Sequence, residues 1–163
     1  MKKIILLCIT MISIGSLMAQ LTVKDKCGAF VVDILDGKVN NLKASAPASD
    51  IKTKLPCFTA VEEEGGTSKC GGAIYYKDKD ISFFTQRDYI VIGEKFKGQL
   101  SIPLMGGKRD SFFKFLGNPK MKDDNWDAFT TNYGIIILFY NAASKVNKII
   151  ISTKNTTDIS ICE

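Results

Sequence analysis

The sequence predicts an α+β protein in which two tandem helix-plus-antiparallel-meander units form one continuous or packed antiparallel sheet. Two sets of short runs rich in aromatic and β-branched residues, within residues 73–92 and 126–152, support this prediction. Such runs, separated by a few polar residues, are typical of antiparallel strands. A short helical pattern precedes each set and ends at a proline or at Gly-Asn-Pro. We expect one unit over residues 20–98 and the other over residues 99–163.

The N-terminal residues have the pattern of a signal peptide. Lys2 and Lys3 precede an apolar stretch at residues 4–17, and a small-residue cleavage site ends at Ala19. The stretch is short for a membrane-spanning helix, so an uncleaved anchor is only the alternative. We predict cleavage between Ala19 and Gln20, a periplasmic or secreted location, and no stable membrane insertion after cleavage.

Loss of the two lysines lowers the formal charge from +5 to +3. No block of basic residues remains, which argues against nucleic-acid binding.

Four cysteines remain after this cleavage: Cys27, Cys57, Cys70 and Cys162. An even number in an oxidising compartment predicts two disulfides, with three possible connectivities. We favour Cys57 with Cys70, which flank one polar loop, and Cys27 with Cys162, which lie near the two ends; the other pairings stay open. The chain has no histidine and no C-x-x-C motif, so we expect no metal site.

The first unit begins with a predicted strand at residues 28–34 and a turn at Asp36-Gly37. Residues 40–50 are expected to form a loop, with Ser49 or Asp50 capping a short helix at residues 51–55 that Pro56 ends. After a polar loop at residues 58–72 come three strands, "GAIYY", "ISFF" and "YIVI", joined by the turns "KDKD" and "TQRD".

The second unit repeats this order. Residues 93–108 are expected to form a loop, and a helix is predicted at residues 111–116, where Gly117-Asn118-Pro119 stops it. Strands are predicted at residues 126–129, 135–140 and 146–152, and "TDISI" at residues 157–161 is predicted as a last edge strand.

The two units align with each other. Tyr75 corresponds to Phe129 and Ile81 to Ile135, a spacing of 54, whereas the helices are spaced by 61. One helix-plus-meander unit cannot bury both faces of its sheet, so a second copy would supply the missing surface. We interpret the pattern as a duplication; chance similarity between two α+β segments is the alternative.

The second unit also carries a set of motifs in a fixed order. These are Leu116-Gly117-Asn118-Pro119 after the helix, Trp126, Gly134-Ile135 and Val146-x-x-Ile149. In this order they resemble the repeat of the β-lactamase-inhibitor-protein-like (BLIP-like) fold, which is shared with small outer-membrane assembly lipoproteins. The resemblance covers about residues 102–152 and is weaker over residues 33–92, where Leu55-Pro56 replaces the Leu-Gly-x-Pro stop. It implies a protein that binds other proteins through its sheet or loops, with no enzyme chemistry attached to the repeat.

The residues that common enzyme chemistry needs do not form recognisable motifs. Serine and cysteine nucleophiles normally need a base such as histidine, which the chain lacks. The glycine pairs at 65–66, 71–72 and 106–107 do not have the spacing of nucleotide-binding loops. Carboxylate pairs for sugar hydrolysis stay open at Asp123-Asp124 and at Asp78 with Asp80, although acids are ordinary in predicted turns. We predict no enzyme activity and no cofactor.

The remaining functional candidates are aromatic side chains on or beside the predicted strands. The strands are apolar on both faces, so one face must cover the helices and the other needs a second partner surface. The alternatives are packing between the two units and an exposed aromatic patch that binds a protein. The candidate partner-binding residues are Tyr76, Phe84, Trp126, Tyr133 and Tyr140.

These observations predict an exported, non-enzymatic protein-binding module. Its expected partner is another protein in the cell envelope or outside the cell, and an inhibitor or immunity-type protein is one example of such a module. The alternatives are an envelope structural or assembly factor on the same fold and a small ligand-binding protein, which would need a deep pocket with convergent polar groups.

Overall fold

A computed structural model describes residues 27–65 and 70–162 of the chain. The predicted signal peptide therefore lies outside the described residues. The fold is mixed α+β and mostly sheet, with two short helices, α1 (Ala48–Lys54) and α2 (Phe113–Leu116). Neither of these helices has the length and apolarity needed to cross a membrane.

In the described residues, twelve strands form two sheets. In chain order they are β1 (Val31–Asp33), β2 (Lys38–Val39), β3 (Leu42–Lys43), β4 (Ala60–Glu62), β5 (Ala73–Tyr76), β6 (Ile81–Phe84), β7 (Tyr89–Gly93), β8 (Gln99–Leu100), β9 (Met121–Lys122), β10 (Trp126–Thr131), β11 (Gly134–Tyr140) and β12 (Val146–Ser152).

The larger sheet has eight antiparallel strands in the order β4-β5-β6-β7-β12-β11-β10-β9. Each half of the chain contributes four consecutive strands, and the two last strands, β7 and β12, meet in the middle. The six predicted meander strands and the turns at residues 77–80 and 85–88 are confirmed, but the edge strands β4 and β9 were not predicted, and β4 lies in the loop predicted at residues 58–72. Short polar turns between β-branched and aromatic runs are strong local signals, which explains this agreement.

The smaller sheet, in the order β3-β2-β1-β8, was not predicted beyond its first strand. The loops predicted at residues 40–50 and 93–108 contain β3 and β8, and β8 pairs in parallel with β1. Strands of two residues carry too little alternation to be recognised from sequence. The predicted turn at Asp36-Gly37 is confirmed, with Gly37 in a left-handed conformation (φ 63°).

The two faces of the large sheet have different covers. The face packed against the smaller sheet and the helices, called here the inner face, holds most of the core, including Phe83, Ile90, Phe129 and Ile151. The opposite, outer face holds a smaller apolar cluster of Ala73, Phe84, Tyr89, Ala128, Ile135, Ile137 and Ile150. Apolar residues on both faces agree with the prediction, but the expected cover is wrong: the strands of the second unit continue the same sheet through β7 and β12 and do not cover its outer face.

The positions of side chains on the two faces of the sheet contradict the predicted residue-by-residue alignment of the two units. Tyr75 packs with the outer-face cluster, whereas its proposed counterpart Phe129 is in the inner core. Ile81 is inner and its counterpart Ile135 is outer. Because side chains alternate along a strand, a shift of one residue moves each of them to the other face. A spacing of 54 between corresponding residues therefore places them on opposite faces of the sheet, so this alignment of the two halves is wrong.

Both helices differ from the prediction in length or type. The first helix begins at Ala48, earlier than predicted, and Pro47 rather than Ser49 or Asp50 occupies the N-cap position. Proline is well suited to a helix start because its φ is already fixed near the helical value. The second helix begins as a 3₁₀ turn, Arg109–Phe112, before α2. Gly117 (φ 75°) ends α2 as predicted, and its N–H donates to the Phe113 carbonyl at 2.8 Å.

The part of the chain that the structure describes contains two disulfides, but the favoured pairing is wrong. Cys27 bonds to Cys57 and Cys70 bonds to Cys162, with Cα–Cα distances of 5.6 and 5.5 Å. Cys27 and Cys57 pack with the inner core, whereas Cys70 and Cys162 pack with the outer-face cluster. The sheet separates the two pairs, so each cysteine bonds to the partner on its own side. Two disulfides are consistent with an extracellular or periplasmic protein.

The predicted last edge strand, "TDISI", is also wrong. Residues 153–162, called here the C-terminal strap, form no strand after β12. Ile159 and Ile161 instead pack on the outer-face cluster. The edges of the large sheet are β4 and β9, so the strap lies across a face of the sheet rather than along an edge.

Candidate functional site

An apolar groove lies on the outer face, between strands β9–β11 and the C-terminal strap. Its volume is about 240 Å³. Eight of its nine lining residues are apolar, and the other is a threonine; the groove is lined by Met121, Trp126, Ala128, Ile135, Ile137, Phe139, Thr156, Ile159 and Ile161. We call it the outer-face groove. Concave apolar surface of this kind is the usual setting of a binding site.

The strand register explains how the groove forms. Trp126 on β10 lies opposite Phe139 on β11, and Ala128 lies opposite Ile137 in the next outward-facing row. Met121 on the short edge strand β9 lies opposite Ala128. The small alanine between larger side chains leaves the depression. Trp126 and Phe139 are half-buried, and Met121 is 45% exposed, so a partner could reach all three.

Arg109 fixes the turn that carries Trp126. Its guanidinium donates to the carbonyl oxygens of Asp123, Asp124 and Trp126 at 2.6, 3.0 and 3.2 Å. It also donates from Nε to Asp127 Oδ2 at 2.9 Å and from Nη2 to Asp127 Oδ1. A planar five-donor group can satisfy all these acceptors at once, which a lysine could not. Arg109 is thus a positioning residue for the rim of the groove.

Asp127 is the buried centre of this arrangement. Its side chain is fully buried, and besides Arg109 it accepts a hydrogen bond from the Tyr140 hydroxyl at 2.9 Å. Hydrogen bonding to Asp127 raises the pKa of Arg109. Burial, followed by the hydrogen bond to Asp127, raises the pKa of Tyr140. Sequence analysis missed this role of Asp127, because a single acid in a strand gives no signal of its distant partner.

The structure separates the five predicted partner-binding aromatics. Tyr76, Phe84 and Tyr140 are buried, so the exposed-patch interpretation is wrong for these three. Tyr76 and Tyr140 face the inner core, and Phe84 stacks on Tyr89 with ring centroids 4.6 Å apart. Period-two alternation allowed either face for each residue, and the sequence alone did not show that the outer face also has a cover.

The other two aromatics have different surroundings. Tyr133 packs against the inner core, and its hydroxyl donates to the Ile34 carbonyl at 3.0 Å. This contact ties the β10–β11 hairpin to the smaller sheet, which favours a structural role. Trp126 alone of the five lies in the outer-face groove.

Phe139 and Met121 are the other accessible residues on the sheet side of the groove, and sequence analysis missed both. A correct face assignment of β11 would have found Phe139, because it follows Ile135 and Ile137 at alternate positions. The strand β9 was not predicted at all, so Met121 gave no signal.

A polar cleft adjoins the groove, and Phe139 lines both. Its polar lining residues are Asp80, Glu94, Asn125, Asn147 and Lys148. A register shift between β11 and β12 leaves Asn147 unpaired in the ladder beside Lys148, as in a β-bulge. The Lys148 ammonium lies 3.9 Å from the centroid of the Phe139 ring, a cation–π contact at the boundary of the two surfaces.

The carboxylates considered for catalysis lie in the turn between β5 and β6 and in the segment between β9 and β10. The carbonyls of Asp123 and Asp124 bind Arg109, and the Asp80 carboxylate accepts a hydrogen bond from the Lys95 N–H at 2.7 Å. Asp78 lies 3.8 Å from the Lys79 ammonium. Within residues 27–65 and 70–162, no three or more acidic or cysteine side chains are grouped as metal ligands.

Comparison of the chain with protein-family models, with curated proteins and with solved structures gives no match. The resemblance to the BLIP-like repeat therefore stays a prediction from the motifs themselves.

Proposed function

We propose that this protein is an exported, non-enzymatic protein-binding module, and that the outer-face groove is its contact surface. One example of such a module is an inhibitor or immunity-type protein that acts in the cell envelope. The observation that carries the proposal is the half-exposed pair Trp126 and Phe139 beside the exposed Met121. Tryptophan and other aromatic residues contribute most of the energy at many protein interfaces, roughly 2 kcal/mol or more at a hot spot.

The size of the groove favours a protein partner over a small ligand. At about 240 Å³ it is smaller than the roughly 300–1,000 Å³ of typical ligand pockets. The groove has space for one or two large side chains of a partner, and its rim continues into exposed surface at Met121. Its own lining is nearly uniformly apolar, and the polar groups of the adjoining cleft lie beyond Phe139.

We further propose that the two units are a tandem duplication with a BLIP-like architecture. Support comes from the order of elements: each half has a short helix followed by four antiparallel strands, α1 with β4–β7 and α2 with β9–β12. The two sets of strands run in opposite order through the sheet and meet at their last members. A deletion series tests the proposed duplication, and the proposed binding does not depend on that duplication.

A site-specific crosslinking experiment tests the binding proposal. A photoreactive phenylalanine analogue replaces Met121 in the exported protein, and the same analogue at Val31 is the matched control. Both side chains are 45% exposed, but Val31 lies on the smaller sheet. We expect irradiation of envelope preparations to give a defined protein adduct from position 121 and not from position 31.

The captured protein is then identified, purified and measured directly against the wild-type chain. We expect Phe139→Ala to weaken its binding about 30-fold, which corresponds to roughly 2 kcal/mol, and Val31→Ala to leave binding unchanged. The proposal is wrong if position 121 gives no specific adduct with either the oxidised or the reduced protein. It is also wrong if Phe139→Ala, while remaining folded, binds as tightly as the wild type. Saturable binding of a small apolar molecule alone would support the ligand-binding alternative instead.

A further inference from the structure

The C-terminal strap occupies the same face as the proposed binding surface. Ile159 and Ile161 pack on the outer-face cluster, and with Thr156 they form one side of the outer-face groove. The strap adds no strand to the sheet, so side-chain packing and a few specific bonds hold it there. A segment that covers apolar surface without ladder hydrogen bonds can leave it without disrupting the sheet.

Residues 153 and 154 contact Asp88 at the start of the strap, and the other specific bonds are at its end. Cys162 is bonded to Cys70, and its N–H donates to the Tyr89 hydroxyl at 2.9 Å. Arg87 Nη1 donates to the Ser160 carbonyl at 3.1 Å and to the Ser160 hydroxyl at 2.8 Å. The same guanidinium donates from Nε to the Cys70 carbonyl at 2.9 Å. Of these contacts only the Cys70–Cys162 bond is covalent.

The two disulfides differ in their surroundings. Cys27 is 4% exposed and belongs to the inner core, and Cys57 is half-buried, so one of the two sulfurs of the Cys27–Cys57 bond is shielded. Cys70 and Cys162 are both half-buried on the outer face. Thiol–disulfide exchange needs a thiolate to reach a sulfur atom, so a reductant should open the Cys70–Cys162 bond first.

We propose that the C-terminal strap is a disulfide-locked cover of the outer face, and that a dithiol reductant releases it and exposes the sheet side of the outer-face groove to a partner. The first thiolate of the reductant attacks one sulfur of the Cys70–Cys162 bond and displaces the other as a thiolate. The second thiol of the reductant, as a thiolate, then resolves the mixed disulfide. The reductant leaves as a disulfide, two electrons pass to the protein, and both cysteines end as protonated thiols.

The strap also indicates what kind of partner segment fits the released face. It presents isoleucine at alternate positions, 159 and 161, to the apolar cluster. Alternate side chains of an extended chain point to one side. The released face therefore fits an extended partner segment with aliphatic residues at every second position. This statement about the partner rests on the proposed function, whereas the redox release of the strap does not.

The test uses the full exported chain and its single tryptophan, Trp126, which lines the groove together with the strap. Graded treatment with dithiothreitol is followed by alkylation and mass spectrometry. We expect Cys70 and Cys162 to be labelled before Cys27 and Cys57. In parallel we expect Trp126 emission to shift to the red, acrylamide quenching to rise, and the fluorescence of the dye ANS to increase several-fold, because apolar surface becomes exposed.

Matched double variants separate release of the strap from general loss of structure. Cys70→Ser with Cys162→Ser should reproduce the red shift and the dye binding without reductant, while far-UV circular dichroism stays native. Cys27→Ser with Cys57→Ser should leave Trp126 emission and dye binding as in the wild type. A third variant, Ile159→Ser with Ile161→Ser, should expose Trp126 even with the disulfide intact, because it removes the side chains that seat the strap.

Three results would overturn the proposal. One is labelling of Cys27 and Cys57 before the other pair. Another is wild-type Trp126 emission and dye binding in the Cys70→Ser, Cys162→Ser variant, since the strap would then stay seated without its lock. The third is unfolding of that variant, which would make this disulfide a structural requirement. Failure of the crosslinking experiment at position 121 in both redox states would refute the proposed function and leave the release of the strap standing.

Discussion

Replacing Arg109 by methionine should destabilise the protein strongly, because it leaves the Asp127 carboxylate buried without its positive partner. Asp127 is fully buried, whereas the Arg109 side chain is 22% exposed. Of the two groups that bind the carboxylate, only the Tyr140 hydroxyl would remain, at 2.9 Å. Methionine keeps much of the aliphatic length of arginine, so the change removes charge and hydrogen bonds more than packing.

The expected magnitude follows from the burial. Removing one partner of a buried ion pair typically costs about 3–5 kcal/mol, because the other charge stays in a poorly solvating environment. For a domain of this size a change of 1 kcal/mol shifts Tm by about 3 °C, so we expect Tm to fall by roughly 10–15 °C. Three backbone carbonyls in the turn before β10 also lose their donor. Trp126 emission should therefore shift to the red in the native state as well.

Thermal and urea unfolding, followed by circular dichroism, measure the effect. The matched control is Lys154→Met, which removes a half-exposed cation from a pair with Asp88 at 3.5 Å. Such a pair contributes about 0–1 kcal/mol, so Tm should change little. Adding Asp127→Asn to Arg109→Met should recover part of the loss, because no buried charge then remains. A loss below about 1 kcal/mol in Arg109→Met, or no recovery in the double variant, would refute the reasoning.

Two further predictions concern backbone geometry and high pH. Gly37→Ala should destabilise by more than Gly106→Ala: both glycines have positive φ, but a Cβ at Gly37 would lie 2.5 Å from the Tyr133 ring, whereas nothing lies within 4 Å at Gly106. Urea unfolding of the two variants measures the difference, and equal losses would contradict a close packing of Tyr133 on this turn. All five tyrosines have raised pKa values, mainly through burial, and Tyr75 reaches about 12. A folded-state pKa above the unfolded value of about 10 gives stability that is complete below pH 10 and is lost as pH rises toward 12. Tyrosinate absorbance should therefore rise only with unfolding above pH 10, and a reversible midpoint near 10 in the folded protein would contradict this.

Six of the eight strands of the large sheet could be predicted from sequence because their signals are local. The strands β5, β6 and β7 are aromatic and β-branched runs with four polar residues between them, and the structure confirms them. The helix stop at Gly117 is equally local, since it needs only a left-handed residue after Leu116. Features of this kind depend on a few neighbouring residues.

The structural features that were predicted wrongly or not at all depend on contacts between residues that are distant in sequence. The strand β8 has two residues and exists because it pairs with β1, far away in sequence. The disulfide pairing depends on which side of the sheet each cysteine lies, and Cys70 and Cys162 are 92 residues apart. The C-terminal strap has the alternation of a strand, and only the position of the outer-face cluster decides that it packs on a face.

The face of the sheet on which a side chain lies also decides whether that residue is part of the core or of the binding surface. Two residues of β10 should therefore respond differently to substitution. Phe129 is fully buried on the inner face, with its ring centroid 6.2 Å from that of Phe113, whereas Trp126 is half-buried on the outer face. Phe129→Ala should therefore cost about 3–5 kcal/mol of stability. Trp126→Ala should cost about 1–2 kcal/mol, because only part of its apolar area leaves a buried environment. Urea unfolding at one temperature compares the two variants directly. Equal losses would make Trp126 a core residue and remove it from the contact surface. The opposite outcome would identify Trp126 as the anchor of the groove: a mild loss of stability, together with at least 30-fold weaker binding of a protein captured at position 121. A 30-fold loss of affinity corresponds to the roughly 2 kcal/mol of an interface hot spot.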